Sequence, residues 1–170
     1  MSSQLWSIRE ATERDHEDLC ELFREVDFLH AEALPHVFRV PEPPARTIPF
    51  LSDILANENA ALLVAEQDGA VIGLTHVHIL SSPDRPAAVP RRYGVIEIVA
   101  VAEGFRRQGI GKALLDRAER WILGRGTNEI QLGVWEFNAN ARALYEQLGY
   151  ETAVRRLWKR VDSRKEEEKR

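Results

Sequence analysis

Between residues 96 and 112 an apolar run, Ile96-Glu97-Ile98-Val99-Ala100-Val101, gives way to a short turn and then to Arg106-Arg107-Gln108-Gly109-Ile110-Gly111-Lys112. A strand that ends in a glycine-bearing loop opening a helix aims several free backbone N–H groups at one point, with the positive end of the helix dipole behind them. Gly109 and Gly111 let a ligand approach the backbone closely, and Arg106, Arg107 and Lys112 add positive charge. The pattern calls for a phosphate or pyrophosphate. Two well-known phosphate loops do not fit it. A G-x-x-x-x-G-K-[ST] loop starting at Gly104 has Ile110 where lysine must stand, and a G-x-G-x-x-G loop starting at Gly109 has Leu114 in place of its third glycine.

Glu97 is a carboxylate set among Val95, Ile96, Ile98, Val99 and Val101. Burying a carboxylate in such a strand is costly unless it is paired or protonated, and desolvation raises its pKa toward the range of a general base. The competing reading is a structural or substrate-positioning carboxylate. Tyr145 stands seven residues after Asn138 and four after Ala141, so the three share one helix face. His76 and His78 alternate on one strand face, but no third ligand stands at motif spacing, and no metal site is read from them. Cys20, the only cysteine, reads as a small core residue beside Leu19.

The elements that must position these residues follow from periodicity. A short strand over 6–9 precedes an amphipathic helix over 15–29, whose Leu19, Leu22, Phe23, Val26 and Leu29 recur at helical spacing. Five prolines over 30–49 forbid a long regular element, and a short helix over 49–57 follows. Strands over 60–66 and 70–80 flank Asp68-Gly69, a hairpin turn, and a third strand covers 93–101. A helix over 109–123 buries Ile110, Ala113, Leu114, Ala118, Trp121 and Ile122. Ile130, Leu132 and Val134 give a strand, 138–148 a helix with an Asn N-cap and a glycine stop, and 152–161 a last strand. The order β-α-α-β-β-β-α-β-α-β, with no repeat or linker, predicts one mixed α/β domain over 1–161 and a charge-balanced tail over 162–170.

Arg106-x-x-Gly109-x-Gly111, reached through Val101-x-x-x-Phe105-Arg106, resembles the pyrophosphate loop of the GNAT superfamily of acyl-CoA-dependent N-acyltransferases. A second segment, Asn138 through Tyr150, resembles that family's late helix, N-x-x-A-x-x-L-Y-x-x-x-G-[FY], so the likeness covers about residues 6–160. The resemblance implies a mostly antiparallel central sheet flanked by helices, with splayed central strands. It implies acetyl-CoA as cosubstrate, no metal, and direct acetyl transfer to an amine. The pantetheine arm would lie along the third long strand on the backbone of Val99, Ala100 and Val101, and the pyrophosphate on Arg106, Arg107, Gln108, Gly109, Ile110, Gly111 and Lys112. It further implies Glu97 as general base, Tyr145 as the acid that protonates the departing thiolate, and Asn138 with Ala141 against the pantetheine. His30 and Phe38 follow the first helix, where similar proteins build the acceptor wall, and together with Glu97 they are the candidate substrate contacts. Trp135 and Phe137 either line the gap between the splayed strands or pack, and packing is the preferred reading. The alternative to an enzyme is a non-catalytic acetyl-CoA sensor, against which the retention of Glu97 and Tyr145 speaks.

Composition sets outer bounds. The chain has 170 residues, 44% of them hydrophobic and 29% charged, with a formal charge of −4, which suits a globular domain and not a disordered chain. One cysteine excludes a disulfide framework and, with no signal-like or membrane-length apolar run, points to a cytoplasmic setting. The basic residues form no aromatic-interleaved stripe, so neither nucleic acid nor membrane is an expected partner, and homodimerisation is left open. Residues 1–70 carry 14 acidic and 5 basic side chains and residues 71–170 carry 13 and 18. The basic half contains the phosphate loop. The acidic half contains the acceptor wall, which favours a small cationic amine or a peptide amino group.

Overall fold

The computed structural model describes residues 5–161. The chain forms two compact units, Met1–Phe137 and Asn138–Arg170. The first holds β1 (Ser7–Glu10), α1 (His16–Ala33), α2 (Ile48–Ala56), β2 (Ala60–Gln67), β3 (Ala70–Ser81), β4 (Arg92–Val101), α3 (Ile110–Leu123) and β5 (Ile130–Leu132). The second holds α4 (Ala139–Gln147). The strands form one sheet in the order β1-β2-β3-β4-β5, antiparallel except for the parallel β4–β5 pair. Among the described residues no helix is long and apolar enough to cross a membrane.

Two expectations about elements are corrected. No strand forms over 152–161, and residues 151–161 carry no regular structure. Val154, Leu157, Trp158 and Val161 lie at intervals of three and one, not the period of two that a half-buried strand needs, and all four are exposed. β5 stops at Leu132 without reaching Val134, which is exposed. α1 runs four residues past Leu29 to Ala33 and ends just before Leu34-Pro35, where the ring of Pro35 disfavours helical backbone at Leu34. The 162–170 tail lies outside the described residues.

The sheet is covered on both faces within the first unit. Leu19, Leu22 and Phe23 of α1 and Leu51 and Ile54 of α2 bury against Leu62, Val64, Leu74 and Ala100. Ile110 and Leu114 of α3 bury against Ala65 and Ile72 on the other face. The two-residue period of β2 thus sends Val64 one way and Ala65 the other, which is why that strand reads as a continuous apolar run. Arg9 of β1 ties this entry to α1. It donates to both oxygens of buried Asp15 at 2.8 Å, and the Thr12 N–H donates to the same carboxylate at 2.7 Å. The Arg9 guanidinium holds the Asp15 carboxyl below its usual range.

β4 is the strand whose pairing shapes the site. It pairs with β3 from Arg92 to Val101, with a register shift between His76 and Val77: Ile98 faces His76 while Ile96 faces Val77. Glu97 is therefore the extra residue of a β-bulge, a device that bends a strand and re-aims a side chain. On its other edge β4 pairs with β5 only over Gly94–Ile96. Beyond Ile96 the two strands part, so Glu97 to Val101 have no strand partner on that side among the described residues. This parting is the splay that the family resemblance implies.

Gly94 lets α3 approach β4 at the paired end. A Cβ there would lie 2.6 and 2.7 Å from Cγ1 and Cγ2 of Ile122, a fully buried side chain with no room to retreat. Gly94→Ala is expected to lower the unfolding free energy by about 2 kcal/mol, read by urea denaturation. The control Gly104→Ala, whose added Cβ would meet nothing within 4 Å, is expected to change it by less than about 0.5 kcal/mol.

Candidate active site

The loop into α3 has two left-handed residues, Arg107 at φ 64° and Gly109 at φ 82°. Glycine adopts such a backbone freely, whereas arginine does so only when its surroundings fix it. Gly109 is the N-cap of α3 and brings no capping side chain. The first intrahelical bond runs from the Ala113 N–H to the Gly109 carbonyl at 3.0 Å, so the N–H groups of Ile110, Gly111 and Lys112 have no carbonyl of their own helix to reach. No acidic side chain stands in that first turn. An anion is what such a helix start accepts.

Arg106 points elsewhere. Its Nε donates to the Val101 carbonyl at 2.9 Å and its Nη2 meets Glu25 Oε2 of α1 at 2.8 Å. The guanidinium thus ties the end of β4 to both the loop and α1, while Arg107, Gln108, Gly109 and Lys112 remain exposed.

Glu97 is not buried. Its side chain is 52% exposed because the bulge turns it out of the alternation that buries Ile96. Apolar flanks therefore do not bury Glu97; it stands at the parting of β4 and β5, with its Oε1 3.4 Å from His78 Nε2. His76 stacks edge-on to His78 with ring centroids 5.5 Å apart. Both continue the face of β3 that Leu74 presents to α1. Burial, with a smaller contribution from His78, pushes the His76 imidazole down to about 4, which keeps it neutral at pH 7.

Four rings from three segments of the first unit meet edge-to-face. His30, near the end of α1, contacts Phe38 at 5.1 Å and Phe137 at 5.5 Å, and Phe38 contacts Trp135 at 5.3 Å, all between centroids. His30 Nδ1 lies 2.7 Å from the Val26 carbonyl. A carbonyl only accepts, so Nδ1 carries the proton and, in the neutral ring, Nε2 is left as an acceptor. Trp135 is 39% exposed. The structure thus joins His30 and Phe38 with the two aromatics read from sequence as packing residues. Trp135 and Phe137 follow β5 without periodicity, and a contact from residue 30 to residue 137 leaves no local signal.

In the second unit, Asn138 caps α4 through its Oδ1, which accepts from the Ala141 N–H at 3.1 Å. Tyr145 stacks edge-on to Tyr150 at 5.8 Å, and burial raises its phenol above the ordinary value.

The model of the Acetyltransferase (GNAT) family matches residues 17–150. The chain belongs to the GNAT acetyltransferase family. A curated relative, the uncharacterized N-acetyltransferase YhfO of Bacillus subtilis, is 31% identical over 102 residues, 60% of this chain and 66% of that one; the chain thus spans just under two thirds of that relative's length. A crystal structure of a mutant BH1408 protein from Bacillus halodurans superposes with a TM-score of 0.86 at 24% identity, covering 91% of this chain and 99% of that chain. The aminoglycoside N-acetyltransferase AAC(6')-Iy, crystallised in complex with CoA, superposes with a TM-score of 0.70 at 20% identity, covering 92% of this chain and 94% of that chain. These likenesses concern the fold.

Cys20 of this GNAT chain is half-buried, not a core residue. Its thiol donates to the Arg46 carbonyl at 3.2 Å, beside His16 at 3.5 Å. The neutral, buried His76 has a consequence for stability. Between pH 6.5 and about 4 the unfolded chain binds a proton at this imidazole that the folded chain does not. The contribution of His76 to stability is therefore fully present above pH 6.5 and is lost as the pH drops through that window. Urea unfolding at pH 7 and pH 4.5 is expected to show the wild type losing roughly 1–3 kcal/mol more than His76→Gln; equal losses would refute the assignment.

Proposed function

We propose that this protein is an acyl-CoA-dependent N-acetyltransferase, moving an acetyl group from acetyl-CoA to a primary amine by direct transfer. The observation that carries this reading is the adjacency of two unmet hydrogen-bonding demands: the free edge of β4 beyond Ile96 and the uncapped start of α3. An extended arm bearing amides suits the first, and a pyrophosphate suits the second. Bound there, acetyl-CoA supplies an acetyl group activated as a thioester.

The residues of the chain divide the remaining work. The N–H groups of residues 107–112 bind the pyrophosphate, with Arg107 and Lys112 adding charge. Val99 and Val101 offer their backbone edge to the arm, whereas Ala100 between them is turned toward β3, as is Ala102, whose N–H donates to the Ile72 carbonyl at 2.9 Å. Arg106, held by Val101 and Glu25, positions the loop and does not reach the phosphates. Glu97 takes the proton released by the amine as the new N–C bond forms and the C–S bond breaks. Tyr145 passes its phenolic proton to the departing sulfur. A phenol whose pKa burial has raised carries its proton at neutral pH, as an acid must. Asn138, its Oδ1 engaged in capping, has its NH2 left to donate to the arm, alongside Ala141.

Melting experiments with CoA, acetyl-CoA and ATP are expected to show stabilisation by the two CoA species; stabilisation by ATP alone would overturn the reading. With a reactive amine, Glu97→Gln and Tyr145→Phe are each expected to lower kcat by about a hundredfold in a thiol-release assay. Rates near wild type in both variants would refute the assigned roles. Stabilisation by CoA without thiol release from any amine would make the protein a binding module.

A further inference from the structure

We infer that the acceptor of this protein is an arylalkylamine, a single primary amine carried on a planar apolar body, and that His30, Phe38, Trp135 and Phe137 form the wall that receives that body. The inference rests on the acetyl-transfer reading above and narrows its acceptor. The four rings approach one another at steep angles, 63° to 87°, with centroids 5.1 to 5.5 Å apart. Rings so arranged present edges and faces at the spacing where a further aromatic ring adds favourably. The exposed indole of Trp135 leaves that surface open to a ligand.

Position favours an acceptor site. Trp135 is three residues beyond Leu132, the partner of Ile96, so its Cα lies within about 11 Å of that last β4–β5 pair. Glu97 is the next residue after Ile96 on the other side of the split. α1, which carries His30, packs on the sheet face that holds Leu74, and His76 and His78 continue that face up to Glu97.

Ion pairing lowers the negative charge that the first 70 residues show to a ligand. Asp15 and Glu66 are paired with Arg9, Glu25 with Arg106 and Asp27 with Arg46, and Asp18 accepts from the Val71 N–H. Five of the fourteen carboxylates of the first 70 residues are thereby engaged within the fold. At the split Glu97 offers a carboxylate to the ammonium, and His30 Nε2 adds one acceptor among the rings.

The test uses the full chain, acetyl-CoA and four probe amines: 2-phenylethylamine, ethylamine, spermidine and kanamycin. Thiol release is expected to give 2-phenylethylamine a kcat/KM at least about tenfold above each of the others. Trp135→Ala and Phe38→Ala are each expected to reduce that advantage over ethylamine by about tenfold, mainly through KM. Both variants should keep the melting shift produced by CoA, which shows that they fold. Saturable binding of 2-phenylethylamine, followed by titration calorimetry, should weaken in parallel. Equal use of all four amines, preference for spermidine or kanamycin, or unchanged phenylethylamine binding in both variants would overturn the inference while leaving acetyl transfer standing. Absence of thiol release from every amine would remove the acetyl-transfer reading itself, and the inference with it.

Discussion

Strand β4 pairs with β3 along its whole length but with β5 only over Gly94–Ile96, and backbone groups left unpaired in a sheet must be met by water, a side chain or another extended chain. The rest of the site is arranged around that half-open edge. Gly94 allows α3 to pack tightly at the paired end, and at the open end the chain leaves β4 for the loop that starts α3. The bulge at Glu97 sits at the point of parting. It bends β4 away from β5 and turns a carboxylate outward in one step, so the opening and the polar group beside it have a single structural cause.

The open edge would be of little use if the loop beyond it were mobile. Arg106 supplies the restraint: one nitrogen holds the Val101 carbonyl, another holds Glu25 of α1, and Phe105 beside it packs against Ile110 and Leu114. An exposed ion pair alone contributes little to stability. Its value here is geometric, because it fixes the direction from which the N–H groups of the following residues face the edge of β4. The arginine in the sequence pattern thus reads as an anion ligand by composition and serves as a brace by geometry.

The loop and α3 were readable because most residue types there answer a local demand: Gly109 where the backbone turns left-handed, and Ile110, Leu114, Ala118, Trp121 and Ile122 at helical spacing. The order of β1 to β4 followed from apolar runs and the Asp68-Gly69 turn. The bulge was not readable. Apolar residues flank Glu97 on both sides, and an inserted residue shows only as a shift in register against β3; the same flanks led to the expectation of a buried carboxylate. The expected last strand failed for a different reason, since apolar content without period two gives a strand no face to bury. The aromatic wall was half readable, through His30 and Phe38. Its other half comes from a loop a hundred residues away, where only folding makes neighbours.

Charge counting has the same weakness as composition generally: it registers side chains and not their partners. An excess of carboxylates over residues 1–70 suggests a surface that attracts cations. Yet Asp15 binds Arg9, Asp27 binds Arg46, and Glu25 binds an arginine from the opposite half of the chain. Each such pair removes a negative charge from the field seen by an approaching ligand and converts it into a restraint on α1 or on the segment that precedes α2. Arg46 also lies over the Phe23 ring at 4.6 Å, so the pairing with Asp27 holds that segment against the core. These paired carboxylates therefore act to hold α1 in place. What α1 then presents at its C-terminal end is an imidazole among aromatic rings, and the selectivity of the opening follows from those rings more than from the net charge of the segment that carries them.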